Sequence, residues 1–186
     1  MKKGLLFLLV IFFLTGCTKE TTALDRAMQL RSQLTAGNGC AFDVVVTADY
    51  SEYIYQFRMH CQTDRSGDLM FSVIAPETIA GICGTVTTQQ GKIVFDDKVL
   101  AFDTIVEGNV SPVSAPWLMI KTLCGGYIKA CSEDSDGLYI QIDDSYAENS
   151  LFVEIWTNGQ DLPVRGEILW EGRRILSMDV ENFEKL

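Results

Sequence analysis

The residues from Cys40 to Cys61 alternate between apolar and polar with a period of two, and this alternation constrains the chain more than any other feature. It puts Cys40, Phe42, Val44, Val46 and Ala48 on one face of a strand. After a turn at Tyr50-Ser51, it puts Tyr53, Tyr55, Phe57, Met59 and Cys61 on the same face of the next. Successive side chains of a strand point to opposite faces, so such a chain must form a sheet with one buried face. A slip of one residue would turn the whole apolar set to water.

The habit continues to the C-terminus. Leu69, Phe71 and Val73 form a third strand, entered through Ser66-Gly67 and stopped at Pro76. Stretches 82–88 and 92–95 flank Gln90-Gly91, and a short strand follows at 99–102. Further strands are expected at 127–131, 138–142, 151–156, 164–170 and 174–180, with hairpin turns at Asp136-Gly137, Asn158-Gly159 and Glu171-Gly172. Ten or eleven strands joined mostly by tight turns make an antiparallel meander, because parallel strands would need helical crossovers between them. The fold class is therefore mainly β, a curved antiparallel meander.

Two segments break this pattern. Thr22 to about Leu34 carries Leu24, Ala27, Met28, Leu30, Arg31 and Leu34 at helical spacing, and Gly37-Asn38-Gly39 stops it. Its narrow apolar face suits a helix laid on a sheet. Ser111–Gly126 has Pro116 placed for a first turn, then Trp117, Leu118, Met119, Ile120, Leu123 and Cys124. A helix that is apolar on nearly every side must be covered all round, so it is expected across the mouth of the curled sheet or inside it. Several strands also carry apolar residues on the second face, among them Val45, Ile54, Met70, Ile74, Val94, Phe152 and Leu169. A second cover over that face is expected.

The N-terminus places the protein. Lys2 and Lys3 precede an apolar run from Leu5 to Leu14, the layout of a secretory signal and too short to span a bilayer. Leu14-Thr15-Gly16-Cys17 resembles the lipobox of bacterial lipoproteins. That resemblance implies lipidation of the Cys17 thiol, cleavage before it, and acylation of the new N-terminus. The expected organisation is a lipoprotein signal peptide at 1–16, a lipidated tether at 17–22 and one β domain at 23–186. The expected location is the extracytoplasmic face of the bacterial cell membrane, or the outer membrane where there is one. The chain has 15 Lys and Arg against 25 Asp and Glu, a net charge of −10, which gives no electrostatic footprint for nucleic acid. The membrane partner is thus reached through lipid on Cys17 rather than through a basic patch.

Catalytic and metal chemistry find little support. His60, the single histidine, falls on the polar face of its strand beside Arg58 and Gln56, and no G-x-S-x-G is present. Glu133-Asp134-Ser135-Asp136-Gly137 and Asp143-Asp144 sit at expected hairpin ends, where turn chemistry accounts for them better than calcium does. No catalytic residue, metal ligand or cofactor is assigned. The aromatics Tyr53, Tyr55, Phe57, Trp117, Trp156 and Trp170 read as core. Of six cysteines, Cys17 is taken for lipid. A turn at Tyr50-Ser51 would set Cys40 opposite Cys61, where either a disulfide or two packed thiols would serve.

The order of these elements, with the segments Phe42-Asp43-Val44-Val45-Val46, Leu162-Pro163-Val164-Arg165-Gly166-Glu167-Ile168-Leu169-Trp170 and Arg174 to Phe183, resembles the LolA/LolB-like superfamily of lipoprotein carriers. More specifically, the chain is similar to lipoproteins of Gram-positive, clostridial type. The resemblance implies an unclosed half-barrel with helices plugging its concave side and an apolar cavity for acyl chains. Tyr53, Tyr55, Phe57, Met59, Phe71, Trp117, Ile120 and Leu123 are the candidate cavity residues. The expected function is non-catalytic binding of a lipid, a lipoprotein acyl chain or another hydrophobic ligand. The alternative is a protein-interaction or sensor module of an envelope assembly, its core filled by its own side chains. If the mid-chain helix is a movable plug, Gly125-Gly126 is its expected hinge.

Overall fold

The computed structural model describes residues 21–49, 52–106, 109–145, 147 and 150–186. Eleven strands form one antiparallel sheet, and two short ones form a separate hairpin. The large sheet holds β1 (Cys40–Asp49), β2 (Ile54–Thr63), β3 (Leu69–Ala75), β4 (Cys83–Val86), β5 (Gly91–Phe95) and β6 (Lys98–Phe102). It also holds β9 (Tyr127–Asp134), β10 (Gly137–Asp143), β11 (Phe152–Thr157), β12 (Pro163–Trp170) and β13 (Arg173–Lys185). The hairpin is β7 (Ile105–Val106) with β8 (Asn109–Val110).

The spatial order runs β6-β5-β4-β3-β2-β1-β13-β12-β11-β10-β9. Only the β1–β13 pairing joins distant parts of the chain; every other neighbour is a hairpin partner, as a meander requires. The sheet is open. Its two end strands, β6 and β9, do not meet, so this is the unclosed architecture that the resemblance implied.

Two helices occupy one face, here called the inner face. Helix α1 (Ala23–Ala36) starts at a capping box: the Thr22 hydroxyl accepts from the Asp25 backbone, and the Asp25 carboxylate accepts from the Thr22 N–H. It buries Ala27, Leu30 and Leu34 against β9, β10 and the second helix. Leu24 and Met28, though at helical spacing with these, are about half exposed. Helix α2 (Ala115–Gly125) follows a single 3₁₀ turn, Pro112–Ser114. Its side chains Ala115, Trp117, Leu118, Met119, Ile120 and Leu123 are all buried. Gly166 on β12 makes this close packing feasible, because a Cβ there would stand 2.7 Å from the Met119 sulfur.

The strand faces fall as the alternation requires. Cys40, Phe42, Val44, Val46 and Ala48 are each at most 1% exposed. The register differs from expectation. Phe42 pairs with Cys61 and Asp49 with Ile54, so the β1–β2 loop is the four residues 50–53 rather than a two-residue turn. Cys40 therefore faces Thr63, whose hydroxyl accepts from its backbone N–H at 2.9 Å, and both Cys40 and Cys61 are free thiols.

The expected second cover is absent among the described residues. Both helices lie on the inner face, and Ile54, Met70, Ile74 and Val94 on the outer face are 69%, 46%, 49% and 36% exposed. Trp156 also points outward, under the Arg165 guanidinium at 5.0 Å and beside Tyr139 at 5.3 Å, so it is not part of the core. Trp170 is half-buried at the margin. At β9–β10 the turn is Ser135-Asp136, and Gly137 is already a strand residue, held bare because a Cβ would meet the Thr157 carbonyl at 1.9 Å.

Candidate functional site

The inner face has a covered part and an uncovered part. Over the covered part, α2 is fastened at both ends. The Trp117 indole donates to the Gly67 carbonyl at 3.1 Å, holding the start of the helix to the β2–β3 turn, and Lys121 lies over the ring at 4.8 Å. At the other end Arg31 of α1 donates to the carbonyls of Leu123 at 2.7 Å and Gly126 at 2.9 Å. A helix end carries unanswered carbonyls and partial negative charge, so a guanidinium is a strong cap. Its burial there lowers the Arg31 pKa.

Gly126 is no hinge. A Cβ on it would stand 2.6 Å from Ile142 and 2.9 Å from the Asp143 carbonyl, so it is glycine for close approach to β10. Of the expected cavity residues, Met59, Phe71, Trp117, Ile120 and Leu123 are packed into the core here. Ile120 and Cys124 border a recess of 200 Å³ with Leu34, Cys40 and Thr63. This is smaller than the roughly 300–1,000 Å³ of ordinary ligand pockets.

The uncovered part is the corner formed by the start of β2 and the far ends of β3 to β6. Exposure of inner-face residues rises toward it. Along β2 it goes from Met59 at 0% through Phe57 at 9% to Tyr55 at 56%, and Tyr53 in the loop before the strand is 63% exposed. Across the strands, the register aligns Phe71 with Gly84, Ile93 and Leu100, and exposure climbs from 4% at Phe71 to 65% at Leu100. Phe95, on the same face two residues beyond Ile93, is 52% exposed. Tyr53 and Tyr55 pack against each other with ring centroids 6.4 Å apart. Ile79 and Ile82, from the loop after β3, are half-buried beside the core. A recess of 320 Å³ lined by Val45, Gln56, Phe57, Arg58, Ala75 and Pro76 opens near this end of the sheet, but on the outer face rather than in the corner.

Of the residues singled out from sequence, Tyr53 and Tyr55 mark this corner and Phe57 lies buried at its margin, whereas Met59 and Phe71 are buried on the sheet and Trp117, Ile120 and Leu123 belong to α2. In the sequence, Phe95 and Leu100 stand out only as members of short strands. Their alternation was visible, but the helix that fails to reach them was not.

Several polar groups elsewhere have structural partners, while the buried hydroxyls of Thr104 and Ser114 have none among the described residues. His60 Nδ1 lies 2.9 Å from Asp43 Oδ1 on the outer face, and Asn182 donates to Asp43 Oδ2 at 2.9 Å. Asn182 and then His60 hold the Asp43 pKa below the usual carboxylate range. Glu133, in the acidic turn region, pairs with Arg26 of α1, which also holds Asp161. Glu167 is buried between Arg165 and Arg174.

No family model matches the chain, and no curated protein matches it in sequence. Solved structures similar to it are few in shared residues but long in coverage. A LolA superfamily protein from Nitrosomonas europaea is 10% identical with a TM-score of 0.45, covering 88% of this chain and 93% of that one. The lipoprotein LppX of Mycobacterium tuberculosis is 12% identical with a TM-score of 0.42, covering 87% and 94%. LprF of Mycobacterium bovis is 10% identical with a TM-score of 0.38, covering 84% and 92%. These are likenesses of fold alone.

The buried thiols give a first expected result. Burial raises the Cys40 pKa to about 11 and pushes Cys61 up further, whereas Cys83 is exposed. Thiolate is the reactive form, so alkylation of the native protein at neutral pH should label Cys83 and spare Cys40 and Cys61. Because the folded pKa of Cys40 lies above its ordinary value near 9, stability should be unaffected below pH 9 and fall as pH rises toward 11. Mass spectrometry after timed alkylation, and denaturant titrations across that range, check both.

Proposed function

We propose that this protein is a lipid-anchored, extracytoplasmic, non-catalytic binding protein that takes a hydrophobic ligand on the uncovered corner of its inner face. The observation that carries the reading is that large apolar side chains are left in water at two places on the open part of this face, Tyr53 and Tyr55 where β2 begins and Phe95 and Leu100 on the β5–β6 hairpin, each more than half exposed. Large apolar side chains exposed in groups mark a binding surface. The ligand class includes a lipid, an acyl chain or an apolar stretch of another protein. The second reading, a protein-interaction or sensor module, is favoured by the packing under α2, where the chain's own side chains occupy the place of a deep cavity.

The anchor sets where this happens. Cys17 lies outside the described residues, and the six residues 17–22 reach at most roughly 20 Å when extended. The domain would then work within a short distance of the bilayer. Replacement of Cys17 by Ala should release the protein from membranes, because no thiol remains to carry diacylglycerol. Cell fractionation reads this out, and a variant that is processed and sediments with membranes as before would refute the lipobox assignment.

For the corner, the double substitution Phe95→Glu with Leu100→Glu should abolish binding of a dansyl-labelled fatty acid while leaving the thermal midpoint near that of the parent, since both side chains are exposed. Phe71→Ala, in the covered part, should lower stability instead. Probe binding that survives the double substitution would place the site elsewhere.

A further inference from the structure

We propose that the occupant of this corner is a polypeptide segment, apolar with basic flanking residues, that adds as a strand to the free edge of β6. The inference rests on the corner being the binding surface, and it names what binds there.

Strand β6 pairs with β5 and, among the described residues, with no other strand. Its five residues, Lys-Val-Leu-Ala-Phe, pair with β5 without a bulge. Natural edge strands are usually blunted by bulges, prolines or repeated charges, and a regular apolar edge is a template for another strand. Here only Lys98, at the first position, carries charge.

Exposure on the outer face decides between an acyl chain and a peptide. Val94 and Val99 are paired neighbours on that face, 36% and 66% exposed, while Phe95 and Leu100 are exposed on the inner face. An acyl chain lying in the corner would cover the inner pair alone and leave the edge N–H and C=O groups as they are. An added strand continues both rows and answers the edge groups, with alternate side chains on alternate faces.

Charge selects the flanks. The three loops bounding the corner, 50–53, 76–82 and 96–97, contain Glu52, Glu77, Asp96 and Asp97 and no Lys, Arg or His. All four carboxylates are exposed, and the antiparallel topology brings these loops to the same end of the sheet. The nearby bases are Lys98, which opposes Phe95, Lys92, which opposes Ala101 at the other end of the same hairpin, and Arg58, which is held by Glu181 on the outer face. On a chain of net charge −10, this rim attracts a basic partner and repels an anionic one.

The test uses the full chain in phosphatidylcholine nanodiscs and two synthetic decapeptides, Lys-Lys-Val-Thr-Val-Phe-Val-Thr-Lys-Lys and its twin with Glu at the four Lys positions. The basic peptide should bind, slow amide exchange across Lys98–Phe102, and bind roughly tenfold tighter than its acidic twin at low salt. That ratio should shrink in the variant Asp96→Asn with Asp97→Asn. Asn tolerates the left-handed backbone at these positions, where φ is 49° and 59°, so the turn is kept. Equal binding of the two peptides, or protection that appears away from β6, would overturn the inference. Slowed exchange at β6 that follows protein concentration without peptide would assign the edge to a second copy and overturn it too. Dansyl fatty acid bound at the corner with neither peptide bound would reject the peptide and keep the corner as an apolar site; no binding of any probe would remove both.

Discussion

Replacing Trp117 with Ala is expected to destabilise the protein by about 3–5 kcal/mol, the range for deleting a fully buried large aromatic. Trp117 is 2% exposed, and its indole N–H donates to the Gly67 carbonyl. The substitution therefore opens a cavity and removes the contact that ties the start of α2 to the β2–β3 turn. Trp117→Phe should keep most of the packing and lose the hydrogen bond, for a smaller change of about 1 kcal/mol. The corner lies outside this contact, so dansyl fatty acid should bind the Ala variant with little change under conditions where it is folded. Denaturant unfolding followed through Trp156 and Trp170 emission measures the first effect, and probe titration the second. A stable Ala variant that has lost probe binding would show that α2, not the corner, carries the ligand.

The second large effect is expected at Arg31. Its guanidinium answers the carbonyls of Leu123 and Gly126 across the junction of the two helices. Arg31→Met preserves much of the side-chain volume but leaves these acceptors without their charged donor. Each such bond is worth about 1.5–3 kcal/mol, and partial access of water reduces the sum, so a loss of about 2–3 kcal/mol is expected. The loss should be local as well as global. Amide exchange in Ala115–Gly125 should accelerate more than exchange in β1 or β13. Uniform acceleration across all three elements would mean that Arg31 stabilises the fold without fastening α2.

The sequence by itself determined roughly where the strands of the large sheet lie, which face of β1 is buried, and about where the two helices begin. These properties are local. The alternation of Phe42, Val44 and Val46 needs no partner to be read, the Thr22–Asp25 capping box spans four residues, and the apolar surround of Trp117 to Leu123 demands burial wherever that helix lands. It also carried the order of the meander, because tight turns leave neighbouring strands no choice but to pair.

Tertiary structure alone decided the rest. The loop at 50–53 shifted the β1–β2 register by two residues, a change invisible to face parity, and thereby set Cys40 against Thr63 instead of Cys61. Both helices settled on the inner face and left Met70 and Ile74 bare, because coverage depends on where segments distant in sequence come to rest. Arg31 meets Leu123 across 92 positions of the chain, and no pattern in either neighbourhood announces the bond. The corner is the same kind of fact. Phe95 and Leu100 have the alternation of buried residues and are exposed because α2 ends its cover short of them, a boundary set by packing between elements rather than by any sequence of side chains.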